Sequence, residues 1–209
     1  WEAFFEKSES LKQFARISVD DINAPVDEFS RVLTTPGHYA FLRIAEGCDN
    51  WCAFCIIPKL RGKYRSRTME HVLAEARQLA DSGVKELIVI AQDITRYGMD
   101  WDGKPHLADL LEELCKLDFH WIRLHYLYPE IIDDELIDLI ASEDKIVKYL
   151  DIPIQHIDND ILRRMNRHCT GDEIRALREE GLTGGFMAWN ASCSLTKLEE
   201  LRPLYEALE

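Results

Sequence analysis

The stretch Gly47-Cys48-Asp49-Asn50-Trp51-Cys52-Ala53-Phe54-Cys55 decides how the rest of the chain is read. It sets three cysteines at a C-x3-C-x2-C spacing directly after a strand-like apolar run, Tyr39 to Glu46, on a loop short enough for the three sulfurs to meet at one metal centre. A structural zinc site closes with four ligands, and the nearest further candidates, His38 and His71, stand outside the usual ligand spacing. An iron-sulfur cube can be held by three cysteines, which leaves one iron open to a non-protein ligand.

Outward from this loop the sequence alternates two periods. Thr68 caps a helical pattern whose apolar positions are Met69, Val72, Leu73, Ala76, Leu79 and Ala80, with Gly83 just past its end. Glu86 to Ala91 is a continuous apolar run of the kind buried on both faces of a parallel sheet. The alternation recurs as helix 107–117 and strand 121–128, then as helix 133–142, opened by Asp133-Asp134, and strand 149–154. Four strands alternating with helices predict an α/β fold, a partial (β/α) TIM-like barrel of parallel strands with outer helices, and function at the C-terminal strand ends. Polar residues collect there: the cysteine loop, then Gln92-Asp93, then Arg123, His125, Tyr126 and Tyr128-Pro129-Glu130, then Gln155-His156. A further helix from Asp158 and a Thr170-x-x-Glu173 capping box follow, a loop over 181–186, and a last helix with Leu198, Leu201, Leu204 and Leu208 interrupted by Pro203. The expected division is a linker or tail of a missing upstream domain over 1–37, a core domain over 38–177 and a diverged or truncated segment over 178–209.

Composition narrows the class. With 209 residues, 46% hydrophobic and 30% charged, the chain can bury one sizeable core, and no run of apolar residues is long enough for a transmembrane helix. Its first residues lack the basic and apolar regions of a secretory signal, so a cytoplasmic location is expected, where Cys115, Cys169 and Cys193 stay reduced and serve structure. The net charge of −13 disfavours a phosphate backbone as direct partner and favours a basic protein.

The wording C-x3-C-x-Phe-C, with Phe54 as its aromatic, resembles the signature of the radical S-adenosylmethionine (SAM) enzymes. Gly47-Cys48-Asp49, Ile57-Pro58, Arg61-Gly62 and Arg65-Ser66-Arg67 resemble the methylthiotransferase branch of that family. The runs 90–98, 121–129 and 150–156 are similar to the members that modify a ribosomal protein rather than tRNA. The resemblance implies a 4Fe-4S cluster on Cys48, Cys52 and Cys55, whose open iron chelates SAM and whose electron cleaves the C–S bond to give a 5′-deoxyadenosyl radical. It implies Phe54 beside the adenine, where the alternative is a core aromatic, an electron donor such as flavodoxin or ferredoxin, and methylthiolation at the β-carbon of an aspartate in a small-subunit ribosomal protein. Gln92 and Gln155 can hydrogen-bond the methionine or ribose groups or simply cap strand ends. A second 4Fe-4S cluster is expected only in the missing upstream domain. The family's fifth strand, ending in Gly-Phe-Pro-Gly-Glu-Thr, has no counterpart, Gly181 to Ala191 being a poor substitute. A tRNA methylthiotransferase and a non-catalytic iron-sulfur or zinc module are the competing readings.

Three further features call for an account. The basic run Lys59 to Arg67 can neutralise cluster thiolates and cofactor carboxylate, grip substrate, or be a solvated loop. His125 and His156 are candidates for proton handling or satisfied core histidines. Asp151, inside an apolar run, is expected to be paired, with Arg123 as the candidate partner.

Overall fold

Tyr39–Arg43 (β1) is β-branched-poor but short, and pairs in parallel with the fully apolar centre of Glu86–Ile90 (β4), from Tyr39 opposite Glu86 to Arg43 opposite Ile90. The computed structural model describes residues 21–24 and 32–179. β4 pairs in parallel with Trp121–Leu124 (β5), and β5 with Ile146–Leu150 (β6), giving a four-stranded sheet in the order β1-β4-β5-β6. Each strand is thus added to the same edge, as in a barrel segment rather than a doubly wound sheet. Ala45–Glu46 (β2) and Arg65–Ser66 (β3) form a small antiparallel ladder that brackets the cysteine loop. This is the α/β class that the alternation predicts.

Helix Met69–Asp81 (α2) follows the short Ile57–Arg61 helix (α1) and buries Val72, Leu73, Ala76 and Leu79, while the Thr68 hydroxyl accepts from His71 N. A short helix Met99–Asp102 (α3) precedes Leu107–Cys115 (α4), which buries Leu107, Leu110, Leu111 and Leu114. Asp133 caps Asp134–Ser142 (α5) by accepting from Leu136 N at 3.0 Å. These apolar stripes meet β1, β4 and β5 in one core that includes Leu42, Leu87, Val89, Ile122 and Leu124. Asn159–Arg164 (α6) and Gly171–Glu179 (α7) complete the described chain, with Leu162, Cys169 and Ile174 forming a small second cluster. Among the described residues no helix is long and apolar enough to cross a membrane.

Strand boundaries depart from the periodic reading in physically interpretable ways. The expected strand 121–128 stops at Leu124, two residues before Tyr126 takes a left-handed φ of 65°. The expected strand 149–154 lies earlier, at Ile146–Leu150, because Pro153 has no N–H for a ladder. The expected loop over 181–186, the last helix with Leu198 to Leu208, and Cys193 lie outside the described residues.

His106 at the start of α4 stands between Asp109 (Nδ1 to Oδ2, 2.7 Å) and Asp102 (Nε2 to Oδ2, 3.1 Å). Hydrogen bonding to Asp109, then to Asp102, holds its pKa above the usual 6.5. A folded pKa above the unfolded one means stabilisation that is fully present below about pH 6.5 and is lost as pH rises through the folded value. The unfolding midpoint of the unaltered chain should therefore fall relative to that of His106→Gln as pH is raised from 6 to 8; parallel pH profiles would contradict this.

Candidate metal and cofactor site

The C-terminal ends of the strands form one hydrogen-bonded rim. Ile44 N donates to Ile90 O at 3.0 Å, His125 N to Val89 O at 3.1 Å, Ile94 N to Tyr126 O at 3.0 Å and Leu127 N to Asp151 O at 3.0 Å. Backbone strain concentrates on and beside this rim: among the described residues, the non-glycine ones with left-handed φ are Trp51, Tyr126, Gln155 and Asn166. Such conformations cost about 1–3 kcal/mol each and persist where surrounding structure over-determines them, typically at ligand sites.

The cysteine loop is pinned from three sides. Gly47, at φ 79°, lies against the backbone of Lys63, and Cys48 N donates to Gly62 O at 3.2 Å. Gly62 in turn packs against Ile22 O, and Lys63 N donates to Asn23 Oδ1 at 2.9 Å, so the turn at 21–24 seats on the back of the loop. From the far end of the chain, Met165 O accepts from Ala53 N at 2.9 Å, and Asn166 Nδ2 donates to Asn50 O at 3.1 Å and Trp51 O at 2.9 Å. Arg167 Nη1 reaches Cys52 Sγ at 3.7 Å.

Asp93, fully buried just past β4, ties the loop to the rim. Its carboxylate accepts from Asn50 Nδ2 at 3.0 Å, Thr95 N at 3.1 Å, the Thr95 hydroxyl and Arg96 Nε at 3.2 Å, and its carbonyl accepts from Tyr64 OH at 2.8 Å. Burial pushes the Asp93 carboxyl up, against the hydrogen bonds from Thr95 and Asn50. Neither this network nor the Met165–Arg167 contact is evident from the sequence. Polar residues directly after a helix read as its C-cap, with Asn in the left-handed position and basic residues against the last carbonyls.

Phe54 is 56% exposed, so it is not a core aromatic and its face is free for a ligand. Gln92 carries a buried Oε1 that has no partner among the described residues, an arrangement that costs about 1–3 kcal/mol unless a donor arrives from elsewhere. Gln155 stands half-buried, five residues past the end of β6, in its strained conformation. His125 and His156 are both half-buried rather than core residues, and His156 Nδ1 accepts from Asp158 N at 2.9 Å.

Two expectations are corrected. Arg123 does not pair with Asp151: its Nε donates to Glu86 Oε1 at 2.6 Å on the neighbouring strand, and Asp151 is only half-buried, so it does not need that partner. The basic run is not a uniformly solvated or free cationic loop. Arg61 pairs with Glu46 at 3.1 Å, and Arg65 Nη1 donates to the carbonyls of Arg61 and Lys63. Arg67 is buried, donating to Arg43 O at 2.8 Å and Glu75 Oε2 at 2.6 Å. Arg67→Gln should therefore lower stability by about 2–3 kcal/mol, because charge-assisted bonds are lost and Glu75 keeps a half-buried carboxylate. A urea midpoint unchanged in Arg67→Gln would return Arg67 to the surface-charge reading.

Among the described residues no three His, Cys, Asp or Glu side chains are gathered into a metal-holding arrangement: Cys48 and Cys52 are buried and Cys55 is exposed. The fit to a cluster rests on the donor set. Three free thiols share one loop, and Cys48, raised first by burial, also feels the charges of Asp93, Cys52 and Cys55. The loop backbone is fixed by contacts that leave those sulfurs unlinked by disulfides. Soft thiolates and an orphaned buried amide oxygen at the same rim suit a thiolate-ligated cluster with an organic ligand beside it.

The chain resembles known proteins in sequence and in fold. Residues 42–188 match the Radical SAM superfamily. The chain is 54% identical over 156 residues to the ribosomal protein uS12 methylthiotransferase RimO of Alkaliphilus oremlandii, covering 74% of this chain and 36% of that protein. It is 58% identical over 145 residues to the RimO of Caldanaerobacter subterraneus (69% and 33%) and 52% identical over 173 residues to that of Lachnoclostridium phytofermentans (82% and 38%). The chain thus spans about a third of the length of these curated relatives. Among solved structures, the radical S-adenosylmethionine methyltransferase TsrM from Kitasatospora setae superposes with a TM-score of 0.62 at 18% identity, covering 83% of this chain and 34% of that one, a likeness of fold.

Proposed function

Because the chain belongs to the radical SAM superfamily, we propose that it is the SAM-cleaving core of a methylthiotransferase, and that the whole protein methylthiolates the β-carbon of an aspartate in ribosomal protein uS12. The observation that carries this reading is the three-cysteine loop, pinned at the strand ends, in a chain whose matched 145–156 residues are 54–58% identical to uS12 methylthiotransferases. Cys48, Cys52 and Cys55 would hold a 4Fe-4S cluster. When bound, it supplies an open iron that chelates SAM and an electron that breaks the C–S bond.

The chain's own residues do the rest. The exposed face of Phe54 offers a stacking surface for adenine, and the unpartnered Gln92 Oε1 offers an acceptor to an amino or hydroxyl group without adding charge beside thiolates. Gln155, past the end of β6 two strands away, serves the same ligand. Burial, opposed by Arg167, puts the Tyr128 hydroxyl at about 12, so a neutral phenol lies beside the thiolates and adds no charge there. A net charge of −13 suits a basic ribosomal protein as substrate, a reduced flavodoxin or ferredoxin would deliver the electron, and the compartment is the cytoplasm.

Anaerobically reconstituted protein given dithionite and SAM should yield methionine and 5′-deoxyadenosine, read by mass spectrometry. An intact four-iron cluster without 5′-deoxyadenosine would move the chain to a non-catalytic iron-sulfur module. In the whole protein, methylthiolation of a tRNA in place of a uS12 peptide would overturn the substrate assignment.

A further inference from the structure

Arg167 is a buried cation without a carboxylate partner. It is 6% exposed, and among the described residues no Asp or Glu oxygen lies within ion-pair distance of it. Glu130 is near enough for its charge to be felt, yet its Oε1 accepts from Cys169 N at 3.2 Å and its Oε2 has no partner. The guanidinium instead lies with its carbon 4.2 Å above the Tyr128 ring, donates from Nη2 to Pro153 O at 2.9 Å and points Nη1 at Cys52 Sγ, 3.7 Å away, while Nε has no partner. An isolated buried charge costs several kcal/mol, and here the nearby charge of Glu130 offsets part of that cost. The Cys169 thiol and the Tyr128 hydroxyl also feel the guanidinium, and the sulfur of the cysteine loop that its N–H meets is that of Cys52.

We propose that Arg167 is a positioning residue that holds the Cys52 thiolate through an N–H···S bond and raises the reduction potential of the cluster bound there. The inference rests on the cluster reading above. Hydrogen bonds to cluster sulfurs and local net charge are among the factors that set such potentials, and a fixed cation favours the reduced, more negative state. The stacking on Tyr128 and the anchor to Pro153 O fix the fork in its plane, which a lysine ammonium could not reproduce.

The test is an EPR-monitored redox titration of the reconstituted full chain after its iron content has been measured. Arg167→Met should keep the cluster but make its reduction at least about tenfold less favourable, a shift of about 59 mV to more negative potential for one electron. Arg167→Lys should shift in the same direction by less, and Tyr128→Leu, which removes the platform under the guanidinium, should shift with it. Arg164→Met removes an exposed charge nearby and should leave the potential in place. Should Arg167→Met fail to fold or to load iron, Arg167→Lys and Tyr128→Leu decide. Potentials equal to that of the unaltered chain in loaded Arg167 or Tyr128 variants overturn the role of Arg167 and leave the cluster reading intact. A folded, unaltered chain that loads no iron overturns both.

Discussion

Replacing any one of Cys48, Cys52 or Cys55 by alanine should abolish the four-iron cluster of the reconstituted protein, while Cys115→Ala and Cys169→Ala should leave the iron content unchanged. The thiol set has no spare. Cys115 packs against the main core, 60 residues from Cys55 in the chain, and burial raises its thiol to about 11. Cys169 belongs to the small cluster with Leu162 and Ile174, where burial again raises its thiol. Iron and sulfide analysis after anaerobic reconstitution reads the result directly. Normal iron in Cys52→Ala would sink the assignment of the loop.

Gly47→Ala should be nearly as damaging although it removes no ligand. At φ 79° an added Cβ carries a left-handed strain of about 1–2 kcal/mol. It would also stand 2.0 Å from Lys63 O, so the Gly62–Lys63 backbone must move and the bond from Cys48 N to Gly62 O, worth about 1 kcal/mol, goes with it. The expected loss is about 3 kcal/mol in the urea unfolding of the apo protein, together with poor iron uptake. Gly83→Ala separates the two causes, since Gly83 has a similar φ of 92° but open space where its Cβ would go. That variant should lose the strain alone and load iron fully. Equal stability of the two alanine variants would show that the contact with Lys63 is not limiting.

How far the sequence reaches depends on whether a residue acts through its neighbours in the chain or through distant ones. The cysteine spacing and the Leu107–Leu114 stripe are local patterns, so the metal loop and α4 could be placed from the sequence. So could the cap at Thr68, whose side chain accepts from the next turn, whereas Asp133, read as the first residue of its helix, turns out to be its cap. The pairing of Arg123 with Glu86 could not, because it depends on strand register across 37 residues. Arg67 reads as one more charge in a basic run until β3 and α2 enclose it. Asp93, visible as a polar residue at a strand end, becomes the anchor of the cysteine loop only when Asn50, 43 residues earlier, is folded against it.

The contact between Arg167 and Cys52 spans 115 residues. During synthesis the cysteine loop leaves the ribosome long before the segment that clasps it. At about 5–20 residues per second the delay is roughly 6–23 s, in which three nucleophilic thiols are made but Met165, Asn166 and Arg167 do not yet exist. Oxidation or scavenging of a stray metal in that interval would precede the completed scaffold. The order of the chain therefore makes completion of the clasp around the cysteine loop a late event, set by the arrival of the segment between α6 and α7.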